Sequence, residues 1–187
     1  MSNEIFRPQD MRHDAAHEAV KGLGVQAILT TNYDSLIESA DGPPRRERYT
    51  WMEAPKVLNE LNSDRRILFT IHGTAERRES VVMSFQEYDN LRNNGSYQAV
   101  LRYLLQANLF LFIGYGMNDP LDLDLALSGN LKAFGDSIQT HYVLLKQATN
   151  DDCERLQNDF NVKVIPYAEH EQVTDFLKSL IARRNNV

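Results

Sequence analysis

Three apolar runs, each leading straight into a short polar or glycine-rich segment, constrain this chain more than any other feature. Val25 to Leu29 runs into Thr30-Thr31-Asn32-Tyr33-Asp34, Arg66 to Thr70 into Ile71-His72-Gly73, and Leu109 to Ile113 into Gly114-Tyr115-Gly116-Met117-Asn118-Asp119-Pro120. Short apolar runs bounded by turn signals read as buried strands. In an open α/β sheet, ligands sit outside the carboxyl ends of the strands. An asparagine, a histidine and a glycine-rich turn, each at such an end, therefore point to a common crevice.

The segments between these strands carry helical patterns. Met11 to Leu23 places Ala16, Ala19, Val20 and Leu23 at spacings of three and four, and Ser35 to Ala40 reads as a short helix. Asp41-Gly42-Pro43-Pro44 breaks the chain before a basic segment, Arg45, Arg46 and Arg48, which reads as a solvated loop. Lys56 to Leu61 reads as a short helix, and Ser80 to Ser84 as an extended piece leading into Phe85 to Arg92. Asn93 to Ser96 reads as a turn before an amphipathic helix, Tyr97 to Ala107, whose stripe is Tyr97, Val100, Leu101, Leu104 and Leu105.

Leu121 to Phe134 alternates like a strand at its start. It reads as a helix because Asp119 suits the N-cap, Pro120 the first turn, and Leu123, Ala126, Leu127, Leu131 and Phe134 one face. Two more strands follow, Thr140 to Leu145 and Val162 to Tyr167, with a helix between them capped by Asn150 or Asp151. Val173, Phe176, Leu177, Leu180 and Ile181 mark a last helix. Strands alternating with helices imply an α/β fold with a three-layer, Rossmann-like, mostly parallel sheet.

The chain has 187 residues and a net charge of −6. That length suits one domain, 1–187, with a core of its own. The negative charge argues against a nucleic-acid or membrane surface, which needs a dense positive field. A single cysteine, Cys153, excludes an internal disulfide and any multi-cysteine zinc site, and reads as an ordinary thiol. His13, His17, His141 and His170 are scattered, so no metal is expected. No apolar run approaches the roughly 20 residues that span a bilayer, and Met1 to Asp10 lacks the apolar stretch of a secretory signal. A reducing cytoplasm is the expected compartment.

Each site segment also has a plain structural reading. Thr31 could cap the next helix while Asp34 reaches back to it. His72 could be a satisfied histidine at a strand end, with Gly73 turning the chain. Against that, imidazole is the side chain suited to proton transfer near neutral pH. Gly114-Tyr115-Gly116 could be a strand-to-helix turn and nothing more, or a place where the backbone approaches a phosphate or ribose. Ser84 and Tyr88 lie near the crevice and read as structural, and Asp122 and Asp124 read as a solvated helix face.

Taken in order, Thr30 to Asp34, Ile71 to Gly73, Val81-Val82-Met83-Ser84-Phe85-Gln86-Glu87-Tyr88 and Phe110 to Pro120 resemble the SIR2-like domain family, in the branch found in bacterial and phage-defence proteins and distantly similar to sirtuins. The resemblance covers about Val25 to the C-terminus. It implies a Rossmann-like NAD-binding fold with NAD+ as substrate and no metal. It implies His72 and Asn32 as catalytic residues, and Thr31, Asn32, Asp34, Gly114, Tyr115 and Gly116 as contacts to the dinucleotide. The activity implied is cleavage of NAD+ to nicotinamide and ADP-ribose by an antiviral effector.

The family pattern also begins with an apolar strand and a Gly-Ala-Gly-like phosphate loop. Met1 to Gly24 holds neither, so the resemblance implies a domain without its first strand. The expected partners are therefore a further copy of the chain or another protein, besides NAD+ or a related nucleotide. The zinc-binding cysteines of sirtuins are absent as well, which disfavours an NAD-dependent protein deacylase. A non-catalytic or partner-completed nucleotide-binding module is the alternative to the hydrolase.

Overall fold

The computed structural model describes residues 12–41, 45–117 and 123–186. It divides into two compact units. One holds the described residues up to Leu91 together with those from Thr174 on, and the other runs Arg92–Val173. Each is built on a three-stranded parallel sheet, so the molecule is mixed α/β and Rossmann-like, as the alternation of strand and helix patterns implies.

In the first unit the order of elements is α1 (Ala15–Gly22), β1 (Ala27–Thr30), α2 (Leu36–Ala40), β2 (Glu47–Thr50), α3 (Ala54–Leu61), β3 (Ile67–Thr70) and α4 (Phe85–Arg92). The sheet order is β1-β3-β2. Central β3 is buried at every residue, with Ile67 and Phe69 fully excluded from solvent. This is why Ile67 to Phe69 read as continuously apolar: a parallel strand buried on both faces has no wet face to alternate toward. Asp14 and His17 form a reciprocal cap that starts α1. Arg184 closes its other end, its guanidinium donating to the carbonyls of Leu23 and Gly22.

Strand β2 corrects the expectation of a solvated basic loop. Glu47-Arg48-Tyr49-Thr50 pairs with β3 from Glu47↔Ile67 to Thr50↔Thr70. As an edge strand it keeps polar side chains and gives little apolar signal. Arg46, just ahead of it, is 5% exposed. Its guanidinium lies 3.6 Å from the Asp41 carboxylate and donates to the carbonyls of Val25 and Gln26 at 2.9 and 3.1 Å. Arg48 is half-buried, donating to Glu38 at 2.7 Å and pairing with Glu76. Burial holds the Glu38 carboxyl above its usual range despite Arg48 beside it.

In the second unit come α5 (Gly95–Ala107), β4 (Leu111–Phe112), α6 (Leu123–Phe134), β5 (His141–Lys146), α7 (Asn150–Phe160) and β6 (Val162–Tyr167), followed by α8 (Glu171–Arg184), which continues into the first unit. The sheet order is β4-β5-β6. Tyr97, Val100, Leu101, Leu104 and Leu105 are all buried, as their helical stripe requires. The helix starts earlier than its apolar pattern, because Asn94 caps it by accepting the Tyr97 N–H at 3.0 Å. The cap of α7 is Thr149, in a reciprocal pair with Asp152, rather than Asn150 or Asp151. Asp124 is 8% exposed, which corrects the solvated-face expectation for that residue. Gly42 to Pro44, Asn118 to Pro120 and Asp122, and with them the expected Asp119 cap, lie outside the described residues. No described helix is long and apolar enough to cross a membrane.

Candidate functional site

Strands β1 and β3 are parallel and in register, with Thr30 opposite Thr70. The pairing continues one step further, the Ile71 N–H donating to the Thr30 carbonyl at 3.0 Å. Asn32 and His72 therefore leave neighbouring strands at equivalent positions. Adjacent strands lie about 4.8 Å apart. The two residues the sequence singles out as catalytic thus start from the same place on the carboxyl edge of one sheet, some 40 positions apart in the chain. Asn32 is exposed and His72 is 3% exposed.

The loop after β1 is shaped by its own side chains. Thr30 Oγ1 accepts the Asn32 N–H at 3.0 Å, and Asp34 Oδ1 accepts the Leu36 N–H at 2.9 Å. Asp34, not Thr31, therefore serves the start of α2, and the Thr31–Asp34 capping box does not form. The Tyr33 carbonyl accepts the Ala75 N–H at 2.9 Å, and the Tyr33 hydroxyl donates to the Val82 carbonyl. The Val82 N–H in turn donates to the His72 carbonyl at 3.0 Å. One backbone unit, Val82, thereby bonds both the asparagine loop and the histidine loop.

Gly73 turns the chain after His72 at φ +86°, a conformation that a side chain disfavours. The loop it enters is tied at Ser80, whose hydroxyl accepts the Thr74 N–H at 3.1 Å and donates to the Arg77 carbonyl at 2.6 Å. Trp51, following β2, donates its indole N–H to the Ser80 carbonyl at 2.7 Å. The histidine loop is thus held from the ends of all three strands of its sheet.

Tyr88 on α4 also meets His72. Its hydroxyl lies 3.4 Å from His72 Nδ1, and the two rings meet edge to face at 5.1 Å between centroids. The sequence reading treats Tyr88 as structural, although Ser84-x-x-Glu87 is a capping-box signature that starts a helix just there. That signal could have placed Tyr88 on the first turn of a helix facing the strand end.

The glycine turn belongs to the second unit. Gly114 follows β4 at φ +67° and is exposed, and a Cβ added to it would meet nothing within 4 Å. Met117, at φ 51°, repeats the left-handed conformation and is buried to 1% exposure. Tyr115 stacks obliquely on Phe112 at 5.9 Å and donates to Asp124 at 3.4 Å, while Gly116 is exposed. The turn therefore presents bare backbone at its two glycines, while Tyr115 and Met117 anchor it. Among the described residues, no group of three or more His, Cys, Asp or Glu is arranged to hold a metal, and Cys153 is half-buried. An open cavity of about 450 Å³ beside α2, lined by Ser35, Glu38, Ser39 and the three arginines among others, includes none of the expected site residues.

Within the described residues, the ordered motifs sit at the ends of β1, β3 and β4 and at the start of α4. The SIR2-like domain model matches residues 26–165. The chain belongs to the SIR2-like domain family. Its relatives include proteins named NAD(+) hydrolase ThsA from Cytobacillus dafuensis, 24% identical over 89% of this chain, and from Enterococcus faecium, 26% identical over 88%. A Bacillus subtilis protein named defense-associated sirtuin 2 is 25% identical over 61% of the chain. The match covers 38% and 39% of the two hydrolases and 12% of the third protein, so this SIR2-like chain spans well under half the length of these relatives.

Proposed function

We propose that this SIR2-like chain cleaves NAD+ to nicotinamide and ADP-ribose, with His72 as general base and Asn32 as the group that orients ribose or water. The observation that carries this reading is the register of β1 against β3, which starts both residues from equivalent positions on one sheet edge. The relatives named as NAD(+) hydrolases support the substrate and the reaction.

The chemistry suits the residues. Rupture of the bond between ribose C1′ and the nicotinamide nitrogen leaves positive charge on the ribose, and the departing pyridine is already a good leaving group. Water adds at C1′, its proton passes to His72, and the products are nicotinamide and ADP-ribose. A positioned base contributes about 10²–10⁴-fold. Asn32 contributes by holding the reacting oxygen in line, which removes part of the entropic barrier.

Asp34 and Thr31 shape the asparagine loop. For Gly114, Tyr115 and Gly116 the proposed role is backbone contact with ribose or phosphate, which the open space above Gly114 favours. We extend the proposal to one NAD-binding domain over 1–187, acting in the cytoplasm as a defence effector and assembling with further copies or with a partner protein.

The test is nicotinamide release from NAD+ by the intact chain, by His72→Ala and by Asn32→Ala. Release that falls by about 10²-fold or more in the His72 variant, and clearly in the Asn32 variant, is the expected result. Release unaffected by either substitution, or none from the parent chain at high concentration, overturns the hydrolase. Binding of NAD+ without release would point to the non-catalytic module instead.

A further inference from the structure

We propose that Tyr88 is a positioning residue for His72: its phenol oxygen accepts the Nδ1–H of the imidazole and so selects the tautomer in which Nε2 is the basic nitrogen. The inference rests on the hydrolase reading for its catalytic meaning, but the contact and its consequence for the ring do not.

The geometry has two parts that act together. The hydroxyl of Tyr88 stands 3.4 Å from Nδ1, within reach of a hydrogen bond. The tyrosine ring stands edge to face with the imidazole at an interplanar angle of 78°, which limits rotation of the histidine about its χ2 bond. A neutral imidazole carries its proton on one nitrogen, and the partner of the other nitrogen decides which. A phenol can accept the Nδ1–H or donate its own O–H to a bare Nδ1; the arrangement proposed is the first, which puts the proton on Nδ1 and the basic lone pair on Nε2.

Tyr88 is in turn held by its own sequence. Ser84 and Glu87 cap α4 reciprocally: the Glu87 N–H donates to Ser84 Oγ at 3.3 Å, while Glu87 Oε2 accepts the Ser84 N–H at 2.7 Å, the Ser84 hydroxyl at 2.8 Å and the Met83 N–H at 3.0 Å. The Tyr88 N–H donates to the Ser84 carbonyl at 3.0 Å, setting the tyrosine on the first turn. The same segment is bonded to the histidine loop through Val82 and His72 at 3.0 Å. The helix that carries Tyr88 therefore starts at a fixed distance from the ring it contacts.

The experiment is long-range ¹H–¹⁵N NMR of the imidazoles in the intact chain at neutral pH, comparing the parent with Tyr88→Phe and Tyr33→Phe. His72 is assigned among the five histidines by the loss of its signals in His72→Ala. The expected result is a parent His72 protonated at Nδ1, a Tyr88→Phe spectrum in which that preference is lost, and a Tyr33→Phe spectrum like the parent's. Tyr88→Phe should also lower kcat for nicotinamide release by about five- to tenfold with KM little changed, the size expected for one hydrogen bond. A parent protonated at Nε2, a Tyr88→Phe tautomer unchanged from the parent, or an equal change in Tyr33→Phe overturns the proposal. A parent chain that releases no nicotinamide sinks the hydrolase, and the tautomer comparison still decides the role of Tyr88.

Discussion

Gly73 and Ser80 are packed so closely that no side chain fits between them: a Cβ on Gly73 would lie 2.0 Å from the Ser80 carbonyl oxygen and 2.8 Å from its hydroxyl. The glycine also holds φ +86°. Both constraints act at the residue that follows His72, so the loop carrying the candidate base has one backbone path. Gly73→Ala is expected to destabilise the chain by about 1–3 kcal/mol from the backbone conformation alone, and by more through the collision. Urea denaturation measures it. A midpoint within error of the parent would mean that the loop has a second path and that Gly73 does not fix it.

Arg46 and Asp41 form the buried ion pair ahead of β2, with side chains 1% and 3% exposed. Arg46→Ala removes the cation and leaves a buried carboxylate to which, among the described residues, the Arg46 N–H donates at 2.9 Å. A loss of about 3–5 kcal/mol is expected. Replacing both residues with apolar ones of similar size should recover much of that loss, because the cost comes from the stranded charge and not from the absent pair. A double-mutant cycle separates the two. Additive losses would show that Arg46 acts through its bonds to the Val25 and Gln26 carbonyls instead.

The elements that sequence made legible are those where one physical signal dominates. β3 is apolar from Ile67 to Phe69 because both its edges are paired and both its faces are buried, and α5 shows its stripe because one face meets a core. His72 and Asn32 stood out because polar groups directly after such runs sit at strand ends. What stayed hidden depends on pairing across long separations. β2 has the composition of a loop, and only its ladder to Ile67–Thr70 makes it a strand. Arg46 is buried by a carboxylate five residues earlier in the chain and by two carbonyls about twenty residues away, none of which a local window weighs. Tyr88 was visible as a residue and not as a neighbour of His72, because the contact needs the α4 cap and the Val82 bond together.

His141 gives the second unit a pH dependence. It is 1% exposed on β5, and Nδ1 accepts the Phe110 N–H at 3.2 Å. Burial holds its pKa below the ordinary imidazole value near 6.5, a bond involving the Leu105 backbone opposing this only in part. The unfolded chain therefore binds a proton that the folded chain refuses. The associated stability is fully present above the ordinary value and is lost as pH falls below it toward the depressed folded value. His141→Asn does not titrate in this range. Between about pH 7.5 and 5.5 the parent should lose more stability than the variant. Parallel denaturation midpoints across that window would mean that His141 accepts the proton without cost.

The cap of α4 gives a prediction on stability that also reaches the candidate site. Ser84→Ala removes the hydroxyl that accepts the Glu87 N–H and donates to Glu87 Oε2, and should cost about 1 kcal/mol. Hydrogen bonds from the Met83 and Ser84 amides and the Ser84 hydroxyl hold the Glu87 carboxyl below its usual range. This contribution is therefore present above the ordinary carboxylate value and disappears as pH falls through the lowered one. Fraying at this end of the helix loosens Tyr88 from His72. Hydrogen exchange at the Tyr88 amide, bonded to the Ser84 carbonyl, should accelerate in Ser84→Ala at neutral pH more than exchange at the Leu101 amide in the middle of α5. Equal acceleration at both would show that the substitution lowers global stability without opening this turn, and would remove the cap from the positioning of the histidine.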